Sequence, residues 1–380
     1  MRQLVLLRGA MASGKSTWVK ENGLEDYTLS ADKIRAMASG YSLTEDGNVV
    51  INSRNEKFVW DTLMLLLENR MQDGAFTIID ATHVKREAIN RYKELADKYR
   101  YRVYVLEFEA ELDELLERNR QRPPHQFVPE HVIANAVERL KNVQVPNWVT
   151  RTTPENFYQD VFWRISDYTD KYESIVVIGD IHGSYDVLME MLTFYQENSQ
   201  TLIDPNKLYI FVGDYLDRGT QNYETFRLLQ SIIRLKNVIP LHGNHENHLM
   251  NFAYSLDDDE YKPKGGFKQT HYDLTKHNMS ERKAVTEKEA RDFVRSLQQL
   301  AYFKFNDNKF LVTHAGLGNF NRDNLSLINT QDMIFGAGGY ETNIDEIYSN
   351  HQEKLDEKDR TYQIHGHRNM FEYPTHAKKY

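Results

Sequence analysis

Short, nearly continuous apolar runs recur through the first half of the chain, at Gln3–Leu7, Phe76–Ile79 and Val103–Phe108. Runs of this length without alternation predict strands buried on both faces, as in a parallel sheet. Between them, amphipathic stretches at residues 53–71, 85–99 and 110–121 predict helices, so the first half reads as an α/β parallel sheet with flanking helices. A second cycle opens with Ile175–Ile178 and continues through Leu208–Val212, Val238–Leu241 and Phe310–Val312. Residues 142–173 lie between the cycles, and Pro146, Pro154 and several aromatics predict an ordered connector with the domain boundary near Asp170. The expected domains are residues 1–170 and 171–380. Residues 246–300 are charged and helix-favouring apart from Gly265-Gly266, which predicts a helical insertion roofing the second site.

The composition narrows the class of protein. A chain of 380 residues with 40% apolar side chains can fill two separate cores. The net charge is −9, with 23 basic against 26 acidic side chains over residues 1–170 and 24 against 30 beyond. That balance excludes tight coating of a polyanion but allows a local basic groove gripping one strand end. With no cysteine, thiol nucleophiles, disulfides and zinc–thiolate sites are excluded, and any metal must bind through His, Asp, Glu or Asn. The apolar run at Leu4–Leu7 is cut short by Arg8, far below a membrane span. The expected location is the cytoplasm, or the host cytoplasm for a phage-encoded protein, with no membrane association.

Gly9-Ala10-Met11-Ala12-Ser13-Gly14-Lys15-Ser16 fits G-x-x-x-x-G-K-[ST], with a predicted strand before it and a helix from Ser16 into Lys20 after it. Such a loop cradles the phosphates of ATP or another NTP, with Gly9, Ser13, Gly14, Lys15, Ser16 and Thr17 as the candidate contacts. Lys15 reaches the β and γ oxygens, and Ser16 holds Mg²⁺. Asp32, in Ser30-Ala31-Asp32-Lys33-Ile34-Arg35, stands near the expected end of the second strand. It reads either as a general base toward an acceptor hydroxyl, with Arg35 steadying a nearby phosphate, or as a helix N-cap. Asp80 follows the strand at Phe76–Ile79 and is suited to the Mg²⁺ shell. The arginines of Arg118-Asn119-Arg120-Gln121-Arg122 read either as a lid over the donor phosphates or as a solvated helix face.

These segments together resemble the 5′-hydroxyl polynucleotide kinase module of phage and bacterial polynucleotide kinase-phosphatases, over residues 1 to about 145. The resemblance implies Asp32 as general base on a 5′-OH, Arg35 on the acceptor's 3′-phosphate, and Arg122 as the lid arginine on the donor. The chain departs from that pattern at His83, where many relatives carry Asn, and at Pro123-Pro124.

The second half carries Gly179-Asp180-Ile181-His182-Gly183, Gly213-Asp214-Tyr215-Leu216-Asp217-Arg218-Gly219, Gly243-Asn244-His245-Glu246, His314 and Gly366-His367. Each lies within a few residues of the end of a predicted strand, the edge where ligands of α/β sheets gather. Mixed oxygen and imidazole donors with one bridging carboxylate suit two divalent metals, Mn²⁺ being expected. Asp214 is the candidate bridge, Asp180 and His182 hold one metal, and Asn244, His314 and His367 hold the other. Arg218 is suited to gripping substrate phosphate, and His245, oriented by Asp217, to protonating the leaving alkoxide. His365 reads either as a ligand or as a residue behind the ligands. His242, His248, His271, His277, His351 and His376 belong to no motif.

This set resembles the calcineurin-like binuclear phosphoesterase superfamily, in its phosphoprotein-phosphatase-type branch, over residues 174–370. The resemblance implies an α/β sandwich for the second domain. Kinase followed by binuclear phosphatase is the order of bacterial RNA end-healing and sealing enzymes, in which a ligase-type domain follows. No Lys-x-Asp-Gly motif occurs here, so the expectation is an end-healing enzyme that phosphorylates 5′-OH ends and removes 3′-phosphate or 2′,3′-cyclic phosphate from RNA in preference to DNA. The rival readings are a small-molecule kinase fused to a protein Ser/Thr phosphatase, and a nucleotide-sensing P-loop switch controlling a phosphatase. Only 13 residues follow His367, and Met370–Tyr380 can supply at most one short strand. The chain is therefore expected to be a minimal phage-type version or a piece of a longer polypeptide; a ligase partner or a further ligase domain, and homo-oligomerisation, stay open.

Overall fold

Each apolar run of the first half becomes a strand in the computed structural model, which describes all residues except 1, 44, 46, 48, 52–54, 197–200, 255–262, 264, 276–282, 320–321, 340–341 and 369–380. The order is β1 (Gln3–Arg8), α1 (Lys15–Glu21), β2 (Thr28–Ser30), α2 (Ala31–Ser39), β3 (Tyr41–Leu43), β4 (Val49–Ile51), α3 (Glu56–Gln72) and β5 (Thr77–Asp80). There follow α4 (Arg86–Asn90), α5 (Lys93–Lys98), β6 (Arg102–Glu107), α6 (Leu112–Arg120), α7 (Glu130–Asn142), β7 (Thr150–Thr152) and α8 (Phe157–Val161). A parallel sheet runs β2-β5-β1-β6-β7. β1 is its centre and is buried throughout. Leu4 and Leu6 enter one hydrophobic cluster while Val5 and Leu7 enter another, so successive side chains serve the two faces. The chain leaves β1 toward β2 on one side and later returns to place β6 on the other, which puts the carboxyl end of β1 at a topological switch point.

The second half begins with β8 (Ser166–Asp167), β9 (Ser174–Ile178), α9 (Tyr185–Gln196), β10 (Lys207–Phe211), α10 (Asn222–Ile232), β11 (Val238–Pro240), α11 (Glu246–Ala253), α12 (Phe267–Thr275) and α13 (Glu287–Ser296). It continues with β12 (Ala301–Phe305), β13 (Asn308–Val312), α14 (Thr330–Phe335), α15 (Ile344–Gln352) and β14 (Thr361–Ile364). β11-β10-β9 form one parallel sheet and β14-β13-β12-β8 a mixed one. Tyr209 and Phe211 of β10 face a helical layer, whereas Leu208 and Ile210 join Phe303 and Val312 of the other sheet in a shared core. That is the α/β sandwich, with α11, α12 and α13 forming the expected helical insertion.

By contact density, Met1–Trp163 with Ser326–Thr330 makes one compact unit and Arg164–Leu325 with Gln331–Tyr380 another. The connector is ordered: β7 extends the first sheet beside β6, and β8 pairs with β12 in the second half. His277, His376 and Met370–Tyr380 lie outside the described residues. No described helix is long and apolar enough to cross a membrane.

Candidate active sites

At the carboxyl end of β1 the loop is tied to the segment after β5, Gly9 N donating to Thr82 O at 3.1 Å. Ala12 and Gly14 take left-handed backbone, with φ of 65° and 90°, and Gly14 leads directly into α1. The ammonium of Lys15 donates to Gly9 O at 3.0 Å and Ala10 O at 2.6 Å. Burial lowers its pKa to about 8. Ser16 Oγ donates to Asp80 Oδ2 at 2.7 Å, and burial pushes the Asp80 carboxyl up. A hydroxyl and a carboxylate side by side at the mouth of the loop are the oxygen donors that Mg²⁺ prefers. Gly14, Lys15, Ser16, Thr17 and Arg122 line an open groove of about 460 Å³.

Asp32 occupies the first turn of α2 and does not cap it; Ser30 does, its Oγ accepting from Lys33 N. A short residue just before the helix is better placed to reach the third amide, which leaves the Asp32 side chain 72% exposed. Asp32 Oδ1 accepts from Arg35 Nη1 at 2.5 Å. The other edge of Arg35 is gripped by Glu56, with Nε–Oε1 at 2.5 Å and Nη2–Oε2 at 2.8 Å. Arg118 and Arg120 are held by Glu114 and Glu130. Arg122 donates to Gln126 O at 3.2 Å and is half-buried in the field of Asp32 and Asp80. His83 is buried between Leu7 O and the Tyr92 hydroxyl, at 2.7 and 3.1 Å, and burial lowers it to about 4; it is a packed core group.

In the second half the motif residues follow β9, β10, β11, β13 and β14. His182, Asp214, Asp217, Arg218 and His367 all have left-handed φ, between 45° and 72°. Concentration of such uncommon backbone at one place marks a geometry imposed by its surroundings. Gly213 has φ 117° and lies against the Gly243 backbone, so a Cβ there would collide with it.

Asp214 is at the centre and is buried. His182 Nε2 lies 3.6 Å from its Oδ2, and His314 Nε2 3.3 Å from its Oδ1. His182, Asp214 and His245 can gather about one ion, and Asp214, His314 and His367 about another, so Asp214 belongs to both groups. One terminal atom of the Asn244 carboxamide is 3.1 Å from His314 Nε2 and 2.8 Å from His367 Nδ1. Asp180 sits at the rim of the second group: its Oδ2 accepts from His367 N at 2.9 Å, and its Oδ1 is 3.9 Å from His314 Nδ1.

The residues fit divalent metals by their donor chemistry and by one buried atom. His182 Nδ1 is tied to Leu216 O at 3.1 Å, which leaves Nε2 buried without a hydrogen-bond partner and pointing at Asp214. His314 repeats the device, with Nδ1 tied to Val212 O at 3.0 Å and Nε2 turned to Asp214. Backbone carbonyls that fix the outer nitrogen present the inner lone pair to a metal. Burial pushes the Asp214 carboxyl up, but His314 and His245 outweigh it and hold Asp214 low.

His245 Nδ1 bonds Asp217 Oδ2 at 2.7 Å. Burial alone would depress the imidazole, and the Asp217 bond overcomes it, so His245 is raised. The Arg218 guanidinium is exposed and has no ion-pair partner among the described residues. His365 bonds Asp345 Oδ1 at 3.0 Å and belongs to neither donor group.

Four contributors escaped the sequence reading. Glu56 is a lone acidic residue opening α3. Glu246 was in view within Gly243-Asn244-His245-Glu246 but had no assigned role; its buried carboxylate accepts from Asp214 N, Tyr215 N and Gly243 N at 2.8–2.9 Å and staples two strand ends together. Thr270 and Asp345 stand in no motif.

Comparison with known proteins agrees with these two centres. Residues 4–146 match the model of the AAA domain, and residues 173–379 match that of the calcineurin-like phosphoesterases. The chain belongs to the calcineurin-like phosphoesterase family. It joins a kinase-like P-loop domain to a metallophosphoesterase domain. It is 30% identical over 149 residues to an asymmetrical bis(5′-nucleosyl)-tetraphosphatase from Halalkalibacterium halodurans, covering 37% of this chain and 56% of that one. It is 29% identical over 152 residues to a PP2A-like serine/threonine-protein phosphatase from Candida albicans, covering 39% of this chain and 30% of the other. The chain thus spans about half or less of the length of these curated relatives. Among solved structures, a chain of the Pnkp1/Rnl/Hen1 RNA repair complex matches at 16% identity and a TM-score of 0.33, covering 68% of this chain and 85% of that chain.

Proposed function

We propose that the enzyme heals nucleic-acid ends, RNA in preference to DNA: the P-loop domain phosphorylates 5′-OH ends with ATP or another NTP, and the metallophosphoesterase domain removes 3′-phosphate or 2′,3′-cyclic phosphate. The observation that carries this reading is the exposed Asp32 carboxylate, paired with Arg35 and sharing the electrostatic field of Lys15 and Arg122. A nucleotide sensor needs a phosphate cradle but no acceptor base.

In the kinase domain, Asp32 takes the proton of the acceptor hydroxyl as that oxygen bonds to the γ-phosphorus, and the bond from that phosphorus to the β,γ-bridging oxygen breaks to release the nucleoside diphosphate. Lys15 and Arg122 neutralise charge that develops on the transferred group, and Arg35, held rigid by Glu56, binds a phosphate of the acceptor strand. Ser16 and Asp80 would hold Mg²⁺, which would supply charge neutralisation on the donor phosphates.

In the phosphatase domain, Asp180, His182, Asp214, Asn244, His314 and His367 would hold two divalent ions, with Mn²⁺ suited to the donors. When bound, such a pair supplies a nucleophile at neutral pH and charge neutralisation on phosphate. Arg218 grips the phosphate from the exposed side, and His245, aligned by Asp217, protonates the leaving oxygen.

The tetraphosphatase and protein phosphatase relatives favour a second reading for the phosphatase half alone, in which it cleaves a nucleoside polyphosphate or a phosphoprotein. One experiment addresses both. Purified enzyme is given a 5′-OH oligonucleotide with γ-labelled ATP, and separately a 3′-phosphate oligonucleotide, diadenosine tetraphosphate and a phosphoserine peptide at equal concentration. Label at the 5′ end and highest kcat/KM on the 3′-phosphate strand are expected. An unlabelled strand sinks the polynucleotide-kinase reading, and preference for either other phosphatase substrate replaces the 3′-end reading.

A further inference from the structure

We propose that Thr270, on the helical insertion, is a positioning residue for leaving-group protonation: its hydroxyl fixes the Asp217 carboxylate, and Asp217 in turn aligns His245. The inference rests on His245 being the general acid.

Asp217 is buried, with each carboxylate oxygen committed to a different partner. Oδ2 accepts from His245 Nδ1 at 2.7 Å, and Oδ1 accepts a short bond from the Thr270 hydroxyl. A carboxylate bonded through one oxygen only still turns about its last torsion, because that torsion has a broad minimum. The second bond fixes its plane, and with it the direction in which His245 Nε2 points.

Thr270 is itself fully buried, so its hydroxyl has no water to turn to. The same helix grips the neighbouring loop. Asn222 Oδ1 accepts from Asp217 N at 2.9 Å, and Asn222 Nδ2 donates to Gly219 O and to Asp273 Oδ2, both at 3.0 Å. Thr270 and Asp273, three residues apart, share one face of α12. Phe267, one turn earlier, stacks on the ring of His248 at 5.8 Å, and that ring stands 6.0 Å from His245. α12 therefore reaches the Asp217–His245 pair through the carboxylate, the loop backbone and a neighbouring ring.

In the step concerned, a water-derived oxygen bonds to phosphorus, the bond between phosphorus and the leaving oxygen breaks, and the proton on His245 Nε2 passes to that leaving oxygen. The imidazole keeps its Nδ1 proton on Asp217. An alkoxide needs that proton and a nitrophenolate does not, so misalignment of His245 is felt according to leaving group. A loosened fold or a lost metal slows both alike.

The test compares β-glycerophosphate with p-nitrophenyl phosphate for wild type, Thr270→Val, Thr270→Ser and His245→Asn. Thr270→Val is expected to lose about tenfold in kcat on β-glycerophosphate, with KM unchanged, and less than about twofold on p-nitrophenyl phosphate. Thr270→Ser, which keeps the hydroxyl, is expected to restore the wild-type ratio. Should the valine variant not fold, Thr270→Ala carries the same expectation. His245→Asn must produce a larger split of the same kind. If His245→Asn splits the two substrates and Thr270→Val does not, or if Thr270→Ser fails to rescue, the positioning role is overturned. If His245→Asn slows both substrates equally, the general-acid reading has failed and this proposal falls with it.

Discussion

Around Gly9–Ser16 the phosphate surface is a single turn of backbone, aimed by left-handed residues at Ala12 and Gly14 and backed by one buried lysine. Around Asp214 there is no such turn. Five strand ends from two sheets each deliver one to three side chains, and Glu246 and Asn222 brace the loops between them. The first arrangement depends on local dihedrals and on a helix start. The second depends on two sheets staying in register and on ions that hold its donors together. Their responses to metal removal, charge deletion and pH should therefore diverge.

Metal removal should separate them most. Stringent chelation followed by Mg²⁺ alone should leave phosphatase activity down by about 10³-fold, with Mn²⁺ restoring it, whereas Mg²⁺ alone should support the kinase. Full phosphatase activity in Mg²⁺, with no transition metal recovered in the protein, would break the distinction. Next is Arg122→Ala, which should lower kinase kcat by up to about 10³-fold with a smaller change in nucleotide affinity. Unchanged turnover would overturn the role of Arg122 on the transferred group.

The smallest expected effect is protonic. Burial holds Lys15 down at about 8 in the free domain, and donor phosphates favour its charged form and raise it. The free lysine is neutral and the bound one charged in the window above about pH 8, so nucleotide binding should take up close to one proton near pH 9 and almost none near pH 6.5. Affinity should fall as pH rises through that window. Calorimetry of ADP binding in buffers of different ionisation heat measures the uptake; a value independent of pH contradicts the assignment.

The inner strands of the two parallel sheets were legible in the sequence because they are uninterrupted apolar runs, and the glycine loop because all its parts are contiguous; of the mixed sheet only β13 was, since Ser166–Asp167 and Thr361–Ile364 carry too little apolar sequence to stand out. The helical insertion was legible from its charge and composition. The β3–β4 hairpin was not, since three-residue strands carrying Tyr41, Ser42 and Leu43 give too short a pattern to separate from loop. Asp32 was ambiguous until Ser30 was seen to take the cap. The donors of the second site were readable as motifs, but the contact that joins their loops was not: the His367 amide donates to Asp180, which ties the loop after β14 to the loop after β9. Glu56 and Thr270 bond partners 21 and 53 residues away, and no local pattern marks such a pairing.

The central claim is that one chain adds phosphate at one end of a nucleic acid and removes it at the other through two independent sites. A single RNA oligonucleotide with a 5′-OH and a 3′-phosphate, incubated with ATP, Mg²⁺ and Mn²⁺, reports both reactions at once. Wild type should give the 5′-phosphate, 3′-OH product. Lys15→Ala should give only loss of the 3′-phosphate, and Asp214→Ala only gain of the 5′-phosphate, each retained activity staying within about twofold of wild type. Loss of both activities in either variant, or neither reaction in wild type, would contradict the account.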